Sequence, residues 1–170
     1  MYDWEKMTAA LAAQAPWWKP GTATAYHALT QGYLIGELAR RITGKSLGEY
    51  FRTEVAEPLD ADFFIGVPES EFSRICDLIP PPGDTSSMTG AEEGSIADRT
   101  FKNPLGNALD SRTAAWRKAE IPAANGHGNA RSVAKIHSIL ACKGEAQGIK
   151  LLSQKTAESV MIERIGGMDM

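Results

Sequence analysis

Cysteine is nearly absent from this chain of 170 residues: Cys76 and Cys142 are the only two, far apart and outside any C-x-x-C pairing. Their scarcity excludes a disulfide scaffold and a thiolate zinc site, and leaves buried or free thiols of the kind kept in a reducing compartment. An excess of one charge is also lacking. The 18 Lys and Arg stand against 21 Asp and Glu, a formal charge of -3 with no long block of either sign, so nucleic acid is not an expected partner. No apolar run approaches the ~20 residues that span a bilayer, and the opening stretch MYDWEKMTAALAAQ is amphipathic rather than a signal peptide. A cytoplasmic protein without a membrane span is the expectation. His27, His127 and His137 have no metal-ligand spacing, and neither H-E-x-x-H, a P-loop nor G-x-G-x-x-G occurs. No metal and no nucleotide cofactor is therefore expected.

What is present is a globular composition, 43% hydrophobic, enough for one ordinary core and a single domain over residues 1–170. Helical periodicity dominates. Trp4, Met7 and Leu11 recur at helical spacing behind Asp3, a capping residue, and Pro16 with Pro20-Gly21 stops that helix. Leu29, Tyr33, Leu34, Leu38, Ala39 and Ile42 form one apolar face ended by Gly44, which predicts a core helix. Ser46 and Glu49 have capping-box spacing ahead of Leu47, Tyr50, Phe51 and Val55, with Pro58 as the stop. Asp62 to Pro68, DFFIGVP, reads as a strand. Residues 80–107, rich in Pro, Gly and Ser, read as a long loop with room for one short helix. A short helix around Trp116 follows, then a helix with Val133, Ile136, Ile139 and Leu140 inward. A last helix opens at Ser153 and carries Val160, Met161 and Ile165. The fold class is mainly α with a small β component.

Several residues imitate catalytic motifs. Ser132-Val-Ala-Lys135 has the S-x-x-K form, which sets a hydroxyl and an amine one helical turn apart. Ser132 is equally well placed to cap the helix that follows, and this is the reading preferred. Lys155-Thr-Ala157 resembles a K-T-G triplet but sits in a helical pattern rather than on a strand edge. His137 falls one turn after Val133 and reads as a partly buried packing residue. His127 lies between Gly126 and Gly128, which either form a plain tight turn or allow close backbone approach to a ligand. Tyr26, by itself, has the ordinary default of a packed ring with a hydrogen-bonded hydroxyl.

The setting of Tyr26 says more. The run WKPGTATAYHALTQGYLIGELARRITGKS, Trp18 to Ser46, followed by EYFRTEVAEPLDADFFIGVP, resembles the serine β-lactamase-related enzymes, and more narrowly the family VIII carboxylesterases, relatives of class C β-lactamases and DD-peptidases. The resemblance continues through NGHGNARSVAKI to the closing GGMDM, more loosely in the second half.

It implies an acyl-serine mechanism on an ester, or on a β-lactam. Tyr26 opens a Y-x-N-type triplet as general base and acid, directly or through a lysine, with His27 and Ala28 of that triplet contacting substrate; His127, from its glycine-flanked position, is the further candidate for substrate contact. Ala28 replaces the asparagine of the β-lactamases, which fits the esterase branch. In that family the nucleophile precedes the tyrosine, so Ser132 and Lys135 do not match it. The chain is thus expected to be the helical lobe and tyrosine loop of a longer α/β hydrolase, inactive alone. It would expose an apolar face for self-association or for the missing α/β lobe. A non-catalytic helical binding module derived from that family is the alternative.

Overall fold

The computed structural model describes residues 1–80, 92–102, 107–164 and 166. Helices dominate it and the strands are short. Helix α1 is Trp4–Ala13, and Asp3 starts it by accepting the Lys6 amide at 3.0 Å. Helix α2, Gln31–Thr43, ends at Gly44, whose φ of +75° is the left-handed conformation that glycine adopts without a Cβ penalty. Helix α3, Leu47–Phe51, starts at Ser46, whose Oγ accepts the Glu49 amide at 3.2 Å, and runs on into a single wide turn over Arg52–Ala56.

Strand β1 is Phe63–Ile65, inside the segment predicted. It pairs antiparallel with β2, Gly126–Gly128, with Phe64 opposite His127. The predicted loop of residues 80–107 contains helix α4, Ile96–Lys102; the part from 81 to 91 and from 103 to 106 lies outside the described residues. Helix α5, Ala114–Lys118, forms around Trp116 behind Thr113. Helix α6, Ala130–Ala141, is capped by Asn129, not by Ser132: Asn129 Oδ1 accepts the Ser132 amide at 2.9 Å and its hydroxyl at 3.1 Å. A hairpin absent from the sequence reading follows, β3 Glu145–Ala146 and β4 Ile149–Lys150, turning through Gln147 and Gly148, both at positive φ. Helix α7, Gln154–Ser159, begins at Ser153 as predicted.

The described core is two clusters. Tyr33, Trp116 and Ile121 bury against Trp4, Met7 and Leu11 of α1. Leu59, Ala61, Ile139 and Ala146 bury with Val55 and Ile136. The first cluster corrects the expected orientation of α2. Tyr33 and the glycines Gly32 and Gly36 face inward, while Leu34, Leu38 and Ile42 are 49, 60 and 75% exposed. The reason is close packing on the glycine side: a Cβ at Gly36 would meet the Trp4 ring, and one at Gly32 the Ala123 amide nitrogen and the Pro122 ring.

On α6, Ile139 is buried and Ile136 packs on the core, but Val133, Leu140 and His137 are exposed, against expectation. Val160 and Met161 lie beyond the end of α7 and are exposed, and Ile165 is outside the described residues. Both cysteines are free and exposed.

Candidate functional site

Tyr26 follows the turn at Pro20-Gly21. Gly21 takes φ +80°, and Thr22 folds back on the Lys19 carbonyl, donating its amide at 3.2 Å and its hydroxyl at 2.6 Å. Residues 23–29 then run without regular structure to α2. The Tyr26 ring is 64% exposed and stacks on Phe101 of α4, with centroids 6.3 Å apart and planes inclined by 18°, within the offset-stacked range. His27 turns back on its own chain and shares a hydrogen bond through Nε2 with Thr30 Oγ1. Ala28 and Leu29 are half-buried.

His127 is not in a tight turn. It is extended on β2, and its flanking glycines have a packing cause: a Cβ at Gly126 or Gly128 would collide with the Phe63 ring across the ladder. The imidazole is half-buried, and Nδ1 lies 2.7 Å from the Asn125 carbonyl, so Nδ1–H donates and Nε2 is left as an acceptor. Burial, first, and the nearby Arg117 charge hold its pKa below the ordinary histidine value, against the raising effect of the Asn125 carbonyl.

Asn125, which the sequence reading passed over, fixes this strand's approach. It is almost wholly buried, accepts the Ile121 amide at 2.9 Å and donates to the Trp116 and Ala119 carbonyls at 2.9 and 2.5 Å. Its only sequence signal is its place before the glycine.

His127 and Leu29 line one groove of about 760 Å³ together with Phe64, Val67, Trp116 and Asn125. The charged groups along it are already paired. Arg74 binds Asp62 and Glu71, and Asp77 takes Arg117 at 2.8 Å. The charges along the groove are thus largely offset by protein partners. Among the described residues, no group of three or more His, Cys, Asp and Glu is placed to hold a metal, and no helix is long and apolar enough to cross a membrane.

The structure separates the S-x-x-K look-alike. Ser132 is buried against Asn129, while Lys135 Nζ donates to the Asp60 carbonyl at 2.5 Å and to its carboxylate at 3.0 Å. Lys155 is exposed and lies on helix α7 rather than on a strand.

The beta-lactamase family profile matches residues 1–167. "Esterase/beta-lactamase LipL" of Mycobacterium tuberculosis (strain ATCC 25618 / H37Rv) is 37% identical over 141 residues, 78% of this chain and 33% of that protein. The crystal structure of a family VIII carboxylesterase superposes with a TM-score of 0.83 at 38% identity, covering 96% of this chain and 43% of that one. A penicillin-binding protein homolog from Caulobacter crescentus gives 0.80 at 35%, covering 99% and 44%. EstA from Arthrobacter nitroguajacolicus Rue61a gives 0.73 at 32%, covering 98% and 45%. The chain thus spans a third of the length of the curated relative and less than half of each solved one. With a family match over residues 1–167 and a shared helical fold, the chain belongs to the beta-lactamase family.

Proposed function

We propose that residues 1–170 form one domain, the helical lobe and tyrosine wall of a serine carboxylesterase of β-lactamase type. Its substrates would be short acyl esters, with β-lactams as the related class. The observation that carries this reading is the exposed Tyr26 side chain on the loop that leads, three residues later, to Leu29, which lines the groove with His127; Tyr26 is not itself among the lining residues. His127 contacts substrate from the groove, and His27 and Ala28 contact it from the tyrosine loop, outside the groove's own lining.

In the reaction, a serine hydroxyl adds to the ester carbonyl as its proton passes to the Tyr26 phenolate. The tetrahedral oxyanion collapses, the bond to the alcohol breaks, and the phenol returns the proton to the departing alkoxide. Water repeats the sequence on the acyl-serine and releases the acid. The serine and lysine that this needs belong to chain beyond these residues, since Ser132 and Lys135 are held by Asn129 and Asp60. The required lysine supplies the positive charge that stabilises the phenolate by attraction.

Hydrolysis of p-nitrophenyl acetate and butyrate tests the reading. The 170-residue chain gives no turnover above background, and in a longer gene product that contains it Tyr26→Phe lowers kcat by roughly 10²–10⁴. Turnover by the 170-residue chain that Ser132→Ala abolishes would overturn the assignment.

The exposed row Leu34, Leu38 and Ile42 on α2 favours a second reading, a non-catalytic helical module that associates through this face with an α/β lobe or another copy. Light scattering separates the two readings when combined with the ester assay, because association without turnover in any longer product favours the module.

A further inference from the structure

Helix α4 is braced from within but contributes little to the described core. Asp98, its one buried residue, accepts the Gly94 amide at 3.0 Å and pairs with Lys102 at 2.7 Å, while Ser95 Oγ accepts the Asp98 amide at 3.2 Å. Its two aromatic contacts fall instead on the loop that carries Tyr26. The Arg99 guanidinium sits 4.1 Å from the centroid of the Trp17 ring, and Phe101 stacks on Tyr26. Trp17 and Tyr26 flank the Pro20-Gly21 turn, so one short helix holds both ends of the loop.

Residues two apart on an α-helix leave it roughly 200° apart. Arg99 and Phe101 therefore leave α4 in roughly opposite directions, one to Trp17 and the other to Tyr26. Phe101 is 45% exposed and the phenol ring keeps most of its surface open. A stack of this kind fixes the plane of the ring while leaving it accessible, whereas core packing would bury both rings.

We infer that α4 is a clamp on the tyrosine loop and that Phe101 and Arg99 are positioning residues for the Tyr26 phenol. The clamp's catalytic consequence rests on the reading of Tyr26 as the acid–base group; its geometry does not. The clamp sets the direction in which the phenol meets a substrate carbonyl, and its loss lowers turnover without weakening substrate binding.

Side-chain NMR of the 170-residue chain, with ¹³C-labelled tyrosine and Tyr26→Phe to assign the signal, tests the geometry. Tyr26 in the parent shows an upfield ring-current shift, which Phe101→Ala and Phe101→Leu both remove and Phe101→Tyr keeps. Arg99→Ala, which removes the guanidinium over the Trp17 ring, also moves the Tyr26 signal. The buried Tyr33 signal stays in place in each, reporting an intact fold.

An unmoved Tyr26 signal in Phe101→Leu overturns the stack. An unmoved signal in Arg99→Ala overturns the clamp even where the stack survives. In the longer esterase product, Phe101→Leu lowers kcat roughly two- to tenfold, the range an aromatic pair is worth, with KM unchanged, and Phe101→Tyr restores it. A rise in KM at constant kcat overturns the positioning role. If the NMR shifts follow the clamp while Tyr26→Phe keeps full turnover, the clamp stands and the acid–base reading fails.

Discussion

The Glu37 carboxylate of α2 accepts the Trp4 indole N–H of α1 at 2.9 Å, and Arg40 and Arg41 bind it from the following turn, each at 2.8 Å. One side chain thereby ties the first two helices together beside the Tyr33 and Trp116 cluster. Hydrogen bonds from Arg40, then Trp4 and Arg41, hold its pKa down to about 2 from the ordinary 4.5. A carboxyl lowered in the folded state favours folding above its unfolded value and loses that contribution as pH falls through the folded one. Urea midpoints measured against pH should therefore fall between about 4.5 and 2 in the parent, and Glu37→Gln should be less stable at neutral pH with this part of the acid limb flattened.

Glu120 makes the corresponding tie at α3, accepting Ser46 Oγ at 2.5 Å and the Gly48 amide at 2.9 Å. Removing the acceptor leaves a helix-start amide and a hydroxyl without their partner. Glu120→Ala should cost about 1–3 kcal/mol in denaturant titration, and Glu120→Gln, which keeps one acceptor oxygen, should cost less.

The glycines around His127 are set by the Phe63 ring. Gly126→Ala or Gly128→Ala should destabilise the chain by about 1–3 kcal/mol through overpacking. Combining either with Phe63→Leu should recover part of the loss. Additive losses in that double-mutant cycle would mean that the ring is not what excludes a side chain there.

His127 has its pKa lowered chiefly by burial, so its charged form is disfavoured in the fold. Stability from this group is complete above the unfolded histidine value of about 6.5 and declines as pH falls from there toward the folded value. The His127 ring proton resonances should titrate with a midpoint below about 6.5, and His127→Gln should remove that step from the stability profile.

Leu34 and Leu38 of α2 are exposed in this chain. Leu38→Glu should change unfolding stability by no more than about 0.5 kcal/mol, as for an ordinary surface site. It should reduce self-association in light scattering. A large loss of stability would place this face in the core.

Much of the helical architecture is legible in the sequence because it depends on contacts a few residues apart. Asp3, Ser46 and Ser153 each bond an amide three residues on, and Gly44 stops α2 by its own backbone freedom. The family was legible for a different reason, since the residues that carry the resemblance, Trp18 to Ser46, form one continuous stretch. Helical periodicity places Leu34, Leu38 and Ile42 on a shared stripe, but it cannot say which stripe meets a neighbour. The close fit of Trp4 on Gly36, between α1 and α2, decides that.

The amino-acid sequence by itself determined the starts of α1, α3 and α7, the stop of α2 at Gly44, the strand at Phe63–Ile65 and the family. The tertiary structure alone decided that β1 meets Gly126–Gly128, and that Phe101 rests on Tyr26. It also decided that Ser132 and Lys135 turn to separate partners. The strand pairing, the aromatic stack and the Lys135–Asp60 bond join residues dozens of positions apart, so they are fixed by how whole elements pack rather than by the backbone preferences of neighbouring residues.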